Sequence, residues 1–370
     1  MKPFAEYWMG VHPQAKCSII LEGGEKILLK DYVAKSPEKL LGKPVFDAFG
    51  NMPFLLKLLD VKDMLSIQVH PSKKQAAIDF EEENKKGIAL NAPNRNYKDM
   101  NHKPELMVAM SEFYLLHGFK PEDELLTILK KIPELKIFVS VFKKQGYEGL
   151  YKMAMELPQV EVNELLQPLI NRIIPLYQQD KLQKDDENFW AARAALTFVQ
   201  PNVIDRGIFS IYFFNLLHLK KGEAIFQDAG VPHAYLEGYN VEIMASSDNV
   251  LRGGLTTKHI DTVELLKHTK CKATVPKIIK VKKDSEQVYK TPVKDFELTS
   301  YQLKKGEQLT LEIKTAEILL LTTGNVTLNN KKNEVALHTG NIAAAAFDGA
   351  KVKVKAIEDS LLFRAGTPLK

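Results

Sequence analysis

Cysteine is almost absent from this chain of 370 residues, Cys17 and Cys271 being the only two. Their spacing suits neither a metal knuckle nor a redox pair, which sets aside a disulfide framework and makes a reducing cytoplasm the expected compartment. Both read as small buried apolar residues. No apolar run approaches the roughly 20 residues of a membrane span. The opening MKPFAEYWMGVHP holds no long apolar core of the kind that directs export, so the chain is expected to be soluble and cytoplasmic. Basic patches are missing as well. The net charge is +5, but Lys103 stands close to Glu105, and Lys130 and Lys131 to Glu134, with no lysines gathered beside aromatics. This argues against nucleic acid and leaves a small anion as the natural charged ligand. No obligate protein partner is signalled.

What is present is ordinary globular material, 45% hydrophobic and 26% charged, long enough for two or three packed units. Up to about Phe119 the pattern is strand-like, with short runs at Cys17–Leu21 and Leu106–Met110. Gln75 to Asn96 interrupts it as a polar helix followed by a loop around Asn91–Asn94. From Pro121 the texture changes: Leu125, Ile128 and Leu129, then Val162, Leu165, Leu166, Leu169 and Ile173, recur at helical spacing, and Trp190–Phe198 continues it. Strand character returns at Ile208–Phe214, and Lys221-Gly222-Glu223 reads as a turn into Ala224–Phe226. The expected architecture is mainly β with inserted α. Residues 1–120 and 201–275 form one discontinuous β-domain, 121–200 a helical insertion, and 276–370 a second β-sandwich or barrel reached through Lys277, Lys280, Lys282 and Lys283.

The chemistry concentrates in a few segments. Leu65–Pro71 alternates with period two, so a strand puts Gln68 and His70 on one face and Ile67 and Val69 on the other. Glu105, in His102-Lys103-Pro104-Glu105, adds a carboxylate, and His233, in Gly230–Tyr235, a second imidazole. Two imidazoles, a carboxylate and an amide suit Zn²⁺ or a similar divalent ion, and one anionic ligand leaves a formal +1 charge for Lewis-acid work on an oxygen-rich substrate. Lys103, two residues before Glu105, projects to the same side; a nearby cation pushes a lysine toward its neutral form, as a general base requires. Glu242 is a second candidate for proton transfer. In Ser246–Lys258, Arg252 stands beside Gly253 and Gly254, and Lys258 at the start of a helix expected over Ile260–Leu266, an arrangement that favours an anion and phosphate above all.

Taken in order, YWMGVHP at 7–13, PFLLKLLDVKDMLSIQVHPSK at 53–73, YKDMNHKPELMVAM at 97–110, GEAIFQDAGVPHAYLEG at 222–238 and SSDNVLRGGLTTKHID at 246–261 resemble the type I phosphomannose isomerases. The resemblance covers about 1–275 and implies a cupin-type β-sandwich (jelly roll) core with an inserted helical domain and a second sandwich. It implies zinc ligands at Gln68, His70, Glu105 and His233, and the family's motif arginine at Arg252. Lys103, Glu242, Asp248, Lys258, Trp8, Ser66 and Tyr235 fall on pocket positions. The implied reaction interconverts mannose 6-phosphate and fructose 6-phosphate through a cis-enediol, with the base left between Lys103 and Glu242 and a part in ring opening open to His102. Two rivals stand beside it: a non-haem Fe(II) cupin oxygenase, which needs neither Gln68 nor the Arg252 segment, and a non-catalytic sugar-phosphate-binding cupin, which needs no base. The last unit carries no metal-type set and is expected to be structural.

Overall fold

The structure is a computed structural model that describes residues 6–12, 16–21, 23–282, 284–331 and 333–369; Pro13 and Lys283 lie outside them. Strands β1 (Glu6–Gly10), β2 (Ser18–Ile20) and β3 (Lys26–Leu28) lead into three short helices, α1 (Leu29–Ala34), α2 (Pro37–Leu41) and α3 (Lys43–Phe49). These helices depart from the strand-like expectation. Pro37 opens α2 with its φ already set, and Gly42, at φ +83°, turns the chain directly into α3. Then come β4 (Phe54–Val61), β5 (Gln68–Val69), α4 (Lys73–Lys85), β6 (Glu105–Ala109) and β7 (Phe113–Phe119).

Helices α5 (Glu122–Lys131), α6 (Ile137–Glu156), α7 (Gln159–Gln178), α8 (Glu187–Thr197) and α9 (Gly207–Phe213) follow, with Gly146 breaking α6. Here the expected strand at Ile208–Phe214 is a helix, and the strand begins only at Phe214. Every residue of α9 is buried, so its apolar run carries no face signal, and a fully buried helix looks like a buried strand in sequence. The chain returns through β8 (Phe214–Leu219), β9 (Ala224–Gln227), β10 (His233–Ala245), β11 (Leu251–Arg252) and α10 (Thr262–His268).

Strand β10 organises the site. Its first residues pair with β5 and β7, and Gly238–Ala245 pairs with β4, with β6 on its other side over Asn240–Met244. A register shift between Tyr235 and Glu237 lets one strand serve both groups. Both faces of these strands are covered, which is why they read as near-continuous apolar runs. Leu59, Val61, Met107, Phe113, Leu115 and Ile225 fill the interior. Outside, Ile67, Val69, Leu116 and Leu236 pack on the helices, and Leu56, Leu106 and Ile243 on the last sheet.

The remaining strands are β12 (Glu286–Tyr289), β13 (Glu297–Leu303), β14 (Gln308–Glu312), β15 (Glu317–Thr323), β16 (Val326–Asn329), β17 (Glu334–Leu337), β18 (Ala343–Ala346), β19 (Lys351–Ala356) and β20 (Ser360–Gly366). They make a five-stranded sheet, β12-β13-β20-β15-β18, and a four-stranded one, β14-β19-β16-β17. Alternation sends Leu319, Leu321 and Leu362 into the core between these two sheets, and Ile318, Leu320 and Phe363 outward against β4, β6 and β10. Among the described residues no helix is long and apolar enough to cross a membrane.

Candidate metal centre and active site

Only Gln68 and Val69 form strand β5, yet the expected alternation is present: Ile67 and Val69 are fully buried against the helices, leaving Gln68 and His70 to the opposite face. Burial of the two apolar side chains contributes about 1.5–3 kcal/mol each, which anchors the face that carries the donors. Gln68 lies opposite Arg252 on one side and His233 on the other, and His233 opposite His117. Directly paired residues share a face, so Arg252, Gln68, His233 and His117 form one transverse row. A second row on β1, β4 and β10 sets Trp8 opposite Lys57 and Lys57 opposite Glu242.

Glu105 meets both imidazoles. Its carboxylate lies 3.6 Å from His70 Nε2 and 3.2 Å from His233 Nε2, with all three side chains buried. Ligand atoms of His70, Glu105 and His233 fall within 4.8 Å of one another. The hydrogen bonds assign the tautomers. His70 Nδ1 lies 2.8 Å from the Asn249 carbonyl and His233 Nδ1 3.0 Å from the Val231 carbonyl. A carbonyl only accepts, so each Nδ1 carries a proton; His233 Nε2 then faces Glu105, and His70 Nε2, fully buried, has no hydrogen-bond partner among the described residues. Burial pushes the His70 imidazole down to about 4, so near neutral pH its Nε2 is an unpaired lone pair aimed at Glu105. Two imidazole nitrogens and a carboxylate without sulfur fit a divalent ion such as zinc, with Gln68 the neighbouring neutral donor.

The proton-handling groups crowd the same space. Lys103 Nζ lies 2.9 Å from Glu105, confirming the shared side inferred from their spacing. Burial would lower the Lys103 ammonium, but the neighbouring Glu105 and Glu242 carboxylates outweigh it and hold it above its ordinary value. Glu242 is buried in the central strand, not at an edge; burial and then Glu105 push its carboxyl up. The Tyr235 hydroxyl donates to Glu242 at 2.7 Å, and Lys57 lies 3.7 Å from the same carboxylate. Lys57 also sits 4.4 Å from the Trp8 ring centre. Asp248 pairs with His12 at 3.3 Å; burial raises its carboxyl, but His12, Lys103 and Lys57 bring it below its usual value.

Arg252 is half-buried and makes no ion pair with a described carboxylate. Lys258 is placed differently from expectation. It is exposed in a turn, and α10 begins at Thr262 behind an Asp261 cap, so Lys258 does not stand at the helix start. Ser66 is half-buried next to Ile67. His102 Nε2 lies 3.1 Å from both oxygens of Asp295, near the start of the last β-unit.

Several contributors escaped sequence reading. Lys57 is the one charge among Phe54–Leu59 and could have been flagged as a buried cation needing a partner. Asn249 gives no such signal: its amide bonds Asp99, Asn101 and the backbone of Lys98, fixing the carbonyl that orients His70. His117 Nδ1 bonds Gln227 at 2.7 Å across the two strand groups, and burial pushes that imidazole down to about 4.

Comparison with known proteins agrees with this geometry. Residues 1–122 match the family model for phosphomannose isomerase type I, catalytic domain. Mannose-6-phosphate isomerase of Escherichia coli (strain K12) is 34% identical, aligning over 96% of this chain and 89% of its own. The Homo sapiens mannose-6-phosphate isomerase is also 34% identical, over 98% and 89%. The crystal structure of mannose 6-phosphate isomerase from Salmonella typhimurium bound to its substrate f6p and zinc superposes with a TM-score of 0.86 at 30% identity, covering 99% of this chain and 92% of that one.

Proposed function

We propose, for a chain that belongs to the type I phosphomannose isomerase family, that Gln68, His70, Glu105 and His233 hold its zinc and that Lys103, Glu242 and Arg252 carry the reaction. The activity is the zinc-dependent, reversible interconversion of mannose 6-phosphate and fructose 6-phosphate, an aldose–ketose isomerisation of a sugar phosphate. The observation that carries the site assignment is the convergence of the His70 and His233 Nε2 atoms on Glu105, with His70 Nε2 otherwise unpartnered among the described residues.

The exchange removes a proton from the carbon beside a carbonyl and returns it to the neighbouring carbon, through a cis-enediol. Zinc supplies Lewis acidity toward the sugar oxygens that gain charge. Glu242, raised by burial, is the acceptor that suits the carbon-bound proton near neutral pH, and Lys103, held protonated by Glu105, suits donation to the adjacent oxygen. This divides between the two residues the base role first left open between them. Tyr235 and Lys57 orient the Glu242 carboxylate. Arg252, free of carboxylate partners, meets the phosphate, with Trp8, Ser66, Asp248 and Lys258 as further substrate contacts. Donation of a proton to the sugar-ring oxygen stays open between two imidazoles, each paired through Nε2 with an aspartate: His102 with Asp295 and His12 with Asp248. The same reading divides the chain into a discontinuous cupin unit (1–120 and 201–275), the helical insertion (121–200) and a structural unit (276–370). It places the protein in the cytoplasm, where two half-buried thiols stay reduced.

The test is a coupled isomerase assay on protein of defined metal content. Chelation should abolish turnover and zinc restore it; full activity in protein shown by elemental analysis to be metal-free removes the assignment.

A further inference from the structure

A buried carboxylate outside the reacting cluster holds the backbone that presents Arg252. Asp205 lies in the loop between α8 and α9 and is 8% exposed. Its Oδ1 accepts from the backbone N–H of Gly207 at 2.7 Å and of Leu255 at 2.8 Å, and its Oδ2 from Thr256 N–H at 2.9 Å. Among the described residues no cation forms an ion pair with it. Its neighbour Arg206 turns its guanidinium to the Met155 carbonyl and the Gln159 side chain. Three charge-assisted hydrogen bonds thus satisfy the carboxylate, and two of them reach across to the segment just after Arg252.

That segment needs holding. Leu255 is buried at φ +53°, a conformation strained for a non-glycine residue that persists only where its surroundings impose it. On one side Gly253 and Gly254 exchange hydrogen bonds with Ile67, next to Gln68. On the other, Gly254 meets Gly207 so closely that a Cβ on Gly254 would lie 2.4 Å from Gly207 Cα, and a Cβ on Gly207 would lie 2.6 Å from Leu255 N. Capping α9 needs only the bond to Gly207. The bonds to Leu255 and Thr256 cap nothing in α9; they offset the burial of the carboxylate and at the same time tie the 255–256 backbone to the exit of the insertion.

We propose that Asp205 is a positioning residue for the isomerisation: from the exit of the helical insertion it clamps the 253–256 turn and sets the reach of Arg252 toward the phosphate. This rests on the reading of Arg252 as the phosphate anchor. Asp205→Asn puts an N–H where at least one of the three donors needs an acceptor. Gly207→Ala pries the clamp apart from the opposite side without touching the carboxylate.

Steady-state kinetics on the zinc-loaded enzyme, with zinc content and thermal melting recorded for each variant, tests the proposal. Both variants should raise KM for mannose 6-phosphate by ~10-fold with kcat within ~3-fold of wild type and zinc content unchanged. Arg252→Ala should raise KM as well, and Asp205→Asn combined with it should add nothing, because the clamp acts through the arginine. An unchanged KM in folded Asp205→Asn, or in folded Gly207→Ala should Asp205→Asn fail to fold, overturns the clamp while leaving Arg252 in place. Fully additive effects in the double variant overturn it too. If Arg252→Ala itself leaves KM unchanged, the phosphate reading of Arg252 falls first and the clamp with it.

Discussion

At the scale of single residues, what matters is how each polar group is satisfied when no water reaches it. His70 spends its one proton on the Asn249 carbonyl, so its Nε2 is a lone pair in a sealed space. His70→Ala should therefore lose zinc outright by elemental analysis, whereas Gln68→Ala should retain part of it, since a neutral amide binds a cation more weakly than an imidazole whose tautomer is fixed. The same accounting separates the two proton-transfer candidates. Glu242→Gln removes the raised carboxyl and should cut kcat by ~10²-fold or more with zinc content intact. Lys103→Arg preserves the charge that Lys103 already holds and should cost kcat less, with exchange of the substrate C2 proton with solvent still detectable. A larger kcat loss in Lys103→Arg than in Glu242→Gln, measured side by side, would return the base to Lys103. Of the proposed ligands, Gln68 and His70 were readable in sequence because an imidazole and a lone amide on one face of an alternating strand are rare there. Lys57 and Asn249 were not, because what they do is set by the partners that β10 and the 246–249 loop bring to them.

At the scale of elements, period-two alternation located β5, a short apolar run located β6, and period 3.6 located α5, α7 and α8 through their apolar faces. Helix α9 has none and was read as a strand, and α10 starts at Thr262 because the Asp261 side chain before it accepts from Glu264 N–H, a cap that the preceding basic residues obscured. The end of α10 is tied to α4, and its first turn to Tyr97, by a cluster remote from the proposed ligands. Tyr97 donates to Glu264 at 2.5 Å, and Asp79 receives Lys267 at 2.7 Å and His268 at 3.0 Å. Lys267 pairs with both carboxylates of the cluster, which reads as a fastening. His268, then Tyr97 and Lys267, outweigh burial and bring the Glu264 carboxyl from 4.5 down to about 2. A depressed carboxylate contributes stability that is fully present above its unfolded value and is lost as pH falls through the folded one. The melting temperatures of wild type and Glu264→Gln should therefore differ by a constant amount above pH 4.5 and converge as pH falls from there toward 2. Convergence on raising the pH instead would show that the carboxylate is not what fastens α10. The Glu264 side chain is 21% exposed and so partly screened by solvent, and the difference should be modest.

At the scale of the whole molecule, the sequence reading separated three units, and the resemblance faded at about residue 275, as if the last unit were an appendage. Packing argues otherwise. The outward face of its five-stranded sheet, with Leu298, Ile318, Leu320 and Phe363, belongs to the same buried cluster as Leu56, Leu106 and Ile243 of the strands that carry Glu105 and Glu242. Asp295 adds a polar tie to His102, one residue before Lys103. None of this was visible in sequence, because alternation on β15 and β20 reveals two buried faces but not what covers the second. A shared core should unfold as one cooperative unit. Phe363→Ala removes a side chain only 1% exposed, and a buried Phe truncated to Ala costs about 3–5 kcal/mol. The two tryptophans, Trp8 and Trp190, both lie outside residues 276–370, so their fluorescence reports only on the rest of the molecule. Denaturant unfolding followed by that fluorescence should shift to lower midpoint in Phe363→Ala, in step with the far-ultraviolet circular dichroism. A tryptophan transition unmoved by the substitution, while the dichroism loses a separate early step, would mean that the last unit unfolds on its own and lends the catalytic strands no stability.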